Sequence, residues 1–458
     1  MKTKAFRGVA GLFIFLVCLF WGCDTGIGGD APAPFRGGSA ETGSAETGGA
    51  EDIVYKDIKV VPVTPQELRE PAYDDATGRA VSAGANDFAF RLSAALAKQT
   101  GGENLVCSPL SVWIPLAALV NAADGRHKAD LAEALGVPGF DEEAINNSVS
   151  GMLYNLTRQR DRQWAEEEGD YHNPLKIANA IFVDDGVTIK QEFAQTFMDY
   201  FRGSSLSVDF ESPAAVQEVN AWASEHTDGM IPQIIEGFDP ETEAALANAV
   251  HFLDRWDWEF EPDETEEGDF YPPGGGTTTA FYMLREGDEL IYYEDERLQA
   301  MPLRFQTGGA LYILLPRDGD AAGLLASLTN ASFSALQDGL TLAKGKLLLP
   351  RFSIAGGVVS LGEILTDLGV PLFAEDSLTG VIEERALQLT GALQKAAIEV
   401  DEKGTTAAAV TLLPMATSAG PQEPEKTFEM RCDKPFVFVL YDSGAVVFAG
   451  MVNKPLSP

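Results

Sequence analysis

Helical patterns dominate the first half of this sequence and strand-like apolar runs dominate the second, with no regular alternation of the two. That order argues against a parallel, doubly wound sheet, in which each strand needs a crossover helix. It predicts a single α+β domain with large, mostly antiparallel sheets. From Asn86 onward, Phe88, Leu92, Ala95 and Leu96 share one helical face. "SPLSVWIPLAALVNAADG" opens with Ser108 as N-cap and Pro109 at the first helical position, and Pro115 predicts a kink. "RHKADLAEALG" reads as a second helix. "SPAAVQEVNAWASEHTDG" repeats the Ser-Pro start and stops near Gly229. "LKIANAIFVDD" and "ALANAVHFLDRWDWEF" read as apolar strands, and residues 53–63 hold a short one. Later, "LQAMPLRFQTGGALYILLPRDGD" reads as a hairpin turning at Gly308-Gly309. "KLLLPRFSI", "ALQKAAIEVD" and "FVFVLYDSGAVVFAGMV" are further strands, and "VSLGEILTDLG" is a helix.

Charge narrows the partners. The formal net charge is −36, which argues against nucleic acid and against anionic membrane surfaces. The acidic runs "AEEEGD" and "DETEEGD" read as solvated faces, because neither has a metal-ligand spacing. At the N-terminus, Lys2, Lys4 and Arg7 precede an apolar run from Val9 to Trp21, too short to span a membrane comfortably. This reads as a secretory signal over residues 1–22. Gly22-Cys23 closes it, and a cysteine after a small residue there resembles a bacterial lipobox, although Phe20 and Trp21 depart from the usual pattern. The expectation is an exported chain acylated at Cys23; Asp24 resembles an inner-membrane retention signal of some bacteria. Residues 23–52, with their repeated "GSAETG", read as a flexible acidic tether, leaving 53–458 for the folded domain. The remaining cysteines, Cys107 and Cys432, make no disulfide framework, and buried free thiols are the default.

Catalytic signatures are missing. The sequence has no G-x-S-x-G elbow, H-E-x-x-H, P-loop or C-x-x-C. His127 and His226 read as surface residues, His172 sits in an acidic loop, and His251 reads as a core histidine in an apolar strand. No enzyme activity, metal or cofactor is expected from these residues.

One segment remains unaccounted for: "EVDEKGTTAAAVTLLPMATSAGPQEPEK", Glu399 to Lys426. It follows one strand, precedes another, and begins with small residues. In an extended chain Thr405, Ala407, Ala409, Thr411 and Leu413 would share a face, and all but Leu413 are small. No Pro, Arg or Asp interrupts it between Gly404 and Pro414, so nothing would bar the segment from becoming a buried strand. Gly404 gives it a backbone swivel. Its β-branched Thr and Val residues are unusual for a linker.

This segment has neighbours. "NLVCSPLSVWIPLAAL", "NAVHFLDRWDWEFEPDET", "LPRFSI", "AIEVDEKGTTAAAVT" and "CDKPFVFVLYDSGAVVFAGMVNKP" occur in this order, and together they resemble the serpin family from about Asn86 to Pro455. The resemblance implies a three-sheet α+β domain with about eight or nine helices and an exposed reactive loop, here about residues 402–427. In the family's inhibitors a protease cuts this loop, the loop inserts into the largest sheet, and the protease stays trapped as an acyl-enzyme. The resemblance places the hinge at Glu402, Gly404, Thr405, Thr406, Ala407, Ala408 and Ala409. Counting Glu402 as the first of seventeen residues, it places the scissile bond at Ser418-Ala419, with Thr417-Ser418 and Met415-Ala416 as alternatives. It gives Asn104, Ser108, Ser111 and Asn248 to a polar clasp under the opening sheet, with Gln394 where the family usually has histidine. Trp256 and Thr265 fall near the point where the loop first enters, and Glu402 and Arg351 form a charge pair at the loop base. The small residues "PMATSAG" favour serine proteases with shallow apolar pockets, elastase-like or subtilisin-like, with cysteine proteases as a second class. The expected protein is monomeric, with no cofactor and no membrane contact beyond its anchor. The competing readings are a serpin-fold binding protein whose loop is only a substrate, and an envelope enzyme or solute-binding lipoprotein.

Overall fold

The structure, a computed structural model, describes residues 58–72, 75–158, 160–161, 171–172, 175–227, 229, 231–238, 242–405 and 427–456. All lie in one contact unit, Ile53–Pro458. Cys23, Thr406, Ala407, Ala408, Ala409 and the scissile-bond residues Met415, Ala416, Thr417, Ser418 and Ala419 fall outside the described residues.

Among the described residues the main sheet has six strands, in the order Ile58–Val60, Gly203–Val208, Leu175–Asp184, Ala244–Phe252, Gly391–Lys395 and Val359–Ser360. Period-two alternation gives its two faces separate cores. Leu175, Ile181 and Val183, with Ala244, Leu246 and Val250, face the large core. Ala178, Ala180 and Phe182, with Ala247 and Ala249, face a smaller one under the helix Pro213–His226. There Trp222 meets Phe182 edge-on, with ring centroids 5.6 Å apart. Two further sheets are joined through one long strand, Thr278–Glu294. Its earlier part pairs with Thr341–Pro350 and its end with Leu298–Arg304, and the register slips between Gly287 and Leu290. Most of these ladders are antiparallel, as expected for the α+β class.

Helix starts follow the sequence signals. Ala76–Ala97 begins ten residues before Asn86, because the Asp75 carboxylate accepts from Gly78 N at 2.8 Å and caps it there. Every residue of Pro109–Leu119 is buried, as suits a helix apolar all round. The sequence reading of the fold needs a correction here. Leu175–Asp184 and Gly203–Val208 pair in parallel, and the helix Gln191–Phe201 connects them, so one βαβ unit is present. "KQEFAQTFMDYF" carries a helical signal, Phe193, Ala194, Phe197 and Phe201 sharing one face, which the sequence reading missed.

Candidate functional site

Two antiparallel pairs flank the point where the segment of interest begins. Ala397–Val400 pairs with Phe352–Ala355, with Phe352 opposite Val400. Beyond that pair, Arg351 and Glu402 meet. Arg351 Nε and Nη2 lie 2.6 and 2.5 Å from Glu402 Oε1, and Thr265 Oγ1 donates to the same oxygen at 2.6 Å. Glu402 is 6% exposed. Burial would raise its pKa, but the hydrogen bonds from Arg351 and Thr265 outweigh that and hold the carboxyl below the usual range. Because the carboxylate is buried, removing Arg351 would leave it an uncompensated charge.

The chain then turns back. Asp401 Oδ1 accepts from Lys403 N and Gly404 N at 2.8 and 3.1 Å. Successive carbonyls of this turn are taken up by one facing segment. Trp256 Nε1 donates to Asp401 O at 2.9 Å, Phe260 N to Glu402 O at 2.8 Å, and Trp256 N to Lys403 O at 2.9 Å. Trp256 is fully buried and stacks on Phe305 at 4.7 Å. Gly404 and Thr405 pair antiparallel with Arg255 and Asp254. Gly404 has φ +153°, and a Cβ there would lie 2.2 Å from Asp254 O, so only glycine allows this approach. Thr405 is 2% exposed; its hydroxyl accepts from Asp254 N at 3.2 Å. Asp254, itself buried, accepts from Thr307 N at 3.3 Å.

The direction of Thr405 matters. The strands Ala244–Phe252 and Gly391–Lys395 are bonded in parallel from Ala245 opposite Gly391 to Ala249 opposite Lys395, and no further. Thr405 therefore sits at the head of the seam between them, in a strand antiparallel to both.

A polar row crosses this seam on the large-core face. Gln394 stands opposite Asn248, and Asn248 opposite Asn179. Asn248 Nδ2 donates to Asn179 Oδ1 at 2.5 Å, and Asn179 Nδ2 to Phe201 O at 3.4 Å. Gln394 Nε2 donates to Ser108 O at 2.7 Å and Ser111 Oγ at 3.1 Å, and its Oε1 accepts from Ser108 N at 3.3 Å. Asn248 Oδ1 is buried without a hydrogen-bond partner among the described residues. Ser108 occupies the N-cap position, but its hydroxyl does not cap; it donates to Val447 O at 2.8 Å instead. Asn104 is corrected: it lies away from the row and pins the C-terminal segment, accepting from Asn453 N at 2.8 Å and donating to Lys454 O at 2.7 Å. Asn179, Asp254 and Thr307 were missed. Asn179 had a signal, a polar side chain within the apolar strand run "IANAIFV".

Cys107 and Cys432 are free and buried. Burial pushes the Cys107 thiol up to about 12, against weaker opposing hydrogen bonds to Ser93 and Ala449, and pushes Cys432 up as well. Among the described residues, no cluster of His, Cys, Asp or Glu fits a metal ion.

These observations define an α+β domain whose chain, at Gly404 and Thr405, is seated at the end of the short ladder between Ala244–Phe252 and Gly391–Lys395. Comparison with known proteins gives the family. A family-wide sequence profile described as "Serpin (serine protease inhibitor)" matches residues 83–455. This chain belongs to the serpin family, whose members are mostly protease inhibitors rather than enzymes. It is 28% identical over 376 residues to an uncharacterized serpin-like protein of Thermococcus kodakarensis, covering 81% of this chain and 84% of that one. It is 27% identical over 380 residues to the plasma serine protease inhibitor of Bos taurus, covering 81% and 90%. Among solved structures, the thermophilic serpin tengpin in its native state is 25% identical, with a TM-score of 0.72 over 86% of this chain and 97% of that one. Human thyroxine-binding globulin, complexed with thyroxine, is 24% identical with a TM-score of 0.71, covering 83% and 100%, and shares the fold.

Proposed function

We propose that the protein inhibits serine proteases by letting them cut its loop, inserting the cut strand into the main sheet and trapping the protease as an acyl-enzyme. The observation that carries this reading is the seated hinge. With Gly404 opposite Arg255 and Thr405 opposite Asp254, the paired numbers sum to 659, so a strand continuing in register sets Thr411 opposite Asn248. Alternation then turns Thr405, Ala407, Ala409 and Thr411 to the core face. The Thr411 hydroxyl arrives at the polar row, where Asn248 Oδ1 is without a partner in the uncut state. Insertion must first break the ladder between Ala245–Ala249 and Gly391–Lys395. That ladder is short, and the incoming strand replaces it with two. The small residues of "PMATSAG" support targets with shallow apolar pockets, cut at or near Ser418-Ala419.

The test is incubation with an elastase-like protease. A covalent complex that survives detergent supports the reading. Cleaved chain with no complex overturns it in favour of a serpin-fold binding protein whose loop is a substrate. In the same reading the chain acts as a monomer, exported and held to a bacterial membrane through an acylated Cys23. Its release by Cys23→Ser tests the anchor, and an unmodified N-terminus elsewhere refutes it.

A further inference from the structure

The seam between Ala244–Phe252 and Gly391–Lys395 has a second closure, at the end away from Thr405. Thr390 stands there, one residue ahead of Gly391. Its backbone N donates to Ala244 O at 3.1 Å. Its hydroxyl donates to the same carbonyl at 2.9 Å, and accepts from Glu243 N at 3.1 Å and Ala244 N at 3.4 Å. Arg385, from the segment leading to Thr390, pairs with Glu243 Oε2 at 2.9 Å. Thr390 thus holds both backbone groups of Ala244. Those groups face the seam, whereas Glu243 O turns the other way and accepts from Asp184 N at 3.1 Å in the neighbouring strand.

The register of the hinge identifies what would claim Ala244 after cleavage. Trp256 N donates to Lys403 O, and these numbers also sum to 659. Bonded pairs in an antiparallel ladder recur at every second residue. A strand entering in that register therefore bonds to Asn248 through Thr411, to Leu246 through Leu413 and to Ala244 through Met415. Met415 needs the same N–H and carbonyl that Thr390 occupies. Between Leu413 and Met415 lies Pro414, which has no N–H to give to the other side of the seam. The last rung is therefore weakly held on one side, and a side chain competes for it on the other. Depth matters to the outcome. Ser418 trails Met415 by three residues, and each inserted residue carries an attached protease about 3.3 Å farther. We propose that Thr390 is a positioning residue for the trapping reaction. Its hydroxyl competes with Met415 for Ala244 and so sets how completely the cut strand seats, and with it the share of acyl-enzyme that is trapped rather than hydrolysed. The inference rests on the insertion reading above.

The test compares the full wild-type chain with Thr390→Val, which removes the hydroxyl but keeps the shape, and Thr390→Ser, which keeps the hydroxyl. Thr390 is exposed, so neither change reaches the core. Each protein is cut in its loop by a protease that it does not trap, and amide hydrogen exchange is followed residue by residue over 406–416. In Thr390→Val, Met415 should exchange about fivefold more slowly than in wild type, equivalent to about 1 kcal/mol, because Thr390 can no longer refill an opened rung. With an elastase-like protease that wild type traps incompletely, the ratio of cleaved chain to detergent-stable complex should fall by a similar factor. Thr390→Ser should match wild type in both measurements. Arg385→Ala, which breaks the neighbouring ion pair but leaves Ala244 bonded, should move neither. Equal exchange at Met415 in wild type and Thr390→Val overturns the proposal, and so does an unchanged ratio. Protection over 406–413 without a difference at Met415 removes only the role of Thr390 and leaves insertion standing. If residues 406–413 stay unprotected after cleavage in every version, the insertion reading itself fails.

Discussion

Gly404→Ala tests whether the hinge is seated as described. The new Cβ would lie 2.2 Å from Asp254 O and 2.7 Å from Arg255 Cα, both backbone atoms that cannot rotate away. A carbon–oxygen contact settles near 3.3 Å, so the two strands must separate by about 1 Å. The hydroxyl bonds of Thr405 to Asp254, already 3.2 and 3.4 Å long, do not survive that shift. Losing about two hydrogen bonds costs on the order of 1 kcal/mol each. Holding alanine at φ +153° adds about 1–3 kcal/mol. The sum is roughly 3–5 kcal/mol. Unfolding entropy is about 2.1 cal/mol/K per residue, near 0.85 kcal/mol/K for the unit Ile53–Pro458, so Tm should fall by about 4–6 °C. Scanning calorimetry of the uncut protein measures this. Gly357→Ala is the control, because a Cβ there meets nothing within 4 Å. A Gly404→Ala variant melting within about 1 °C of wild type would falsify the seated hinge.

Acid should loosen the same site. The folded-state pKa of Glu402 is depressed, so its contribution is present above the unfolded value of about 4.3 and is lost as pH falls through the folded value. Glu402→Gln should be less stable than wild type at pH 7 and flatten the acid limb of a stability–pH curve; unchanged curves would show that the pair contributes nothing. Thr411→Arg should leave cleavage at wild-type rate but cut the yield of trapped protease at least tenfold, since a charge opposite Asn248 must be desolvated at several kcal/mol. Thr405→Arg is the poorer probe, because Thr405 is already buried in the uncut protein and the change would disturb that state too. Undiminished trapping by Thr411→Arg would refute the register. Cys107 and Cys432, buried with raised pKa values, should resist alkylation at pH 8 until the protein unfolds; rapid labelling of the native protein would contradict their burial.

Local chemistry made much of this protein legible in its sequence. The Ser-Pro starts at Ser108 and Ser212, the Gly308-Gly309 turn and the small residues after Gly404 each state a conformational preference that neighbours along the chain suffice to express. The order of these pieces was enough to reach the α+β class and the family. Which polar atoms meet was a different matter. Glu402 finds Arg351 and Thr265, and Asn179 finds Asn248, across separations that only strand register decides. Asn104, expected in the seam row, sits instead on the C-terminal segment, because its position just before the strand Leu105–Cys107 places it beside the end of Ala445–Val452. The stretch ahead of the helix Ala76–Ala97 is the extreme case. Residues 58–72 show only a short strand and scattered prolines, and their seat on Gln191, Gln195, Asp199 and Ser150 exists only once two helices have packed side by side. Backbone preferences are set within a few residues and survive in the sequence; hydrogen-bond partners far apart along the chain are chosen by packing, and only the tertiary structure records that choice.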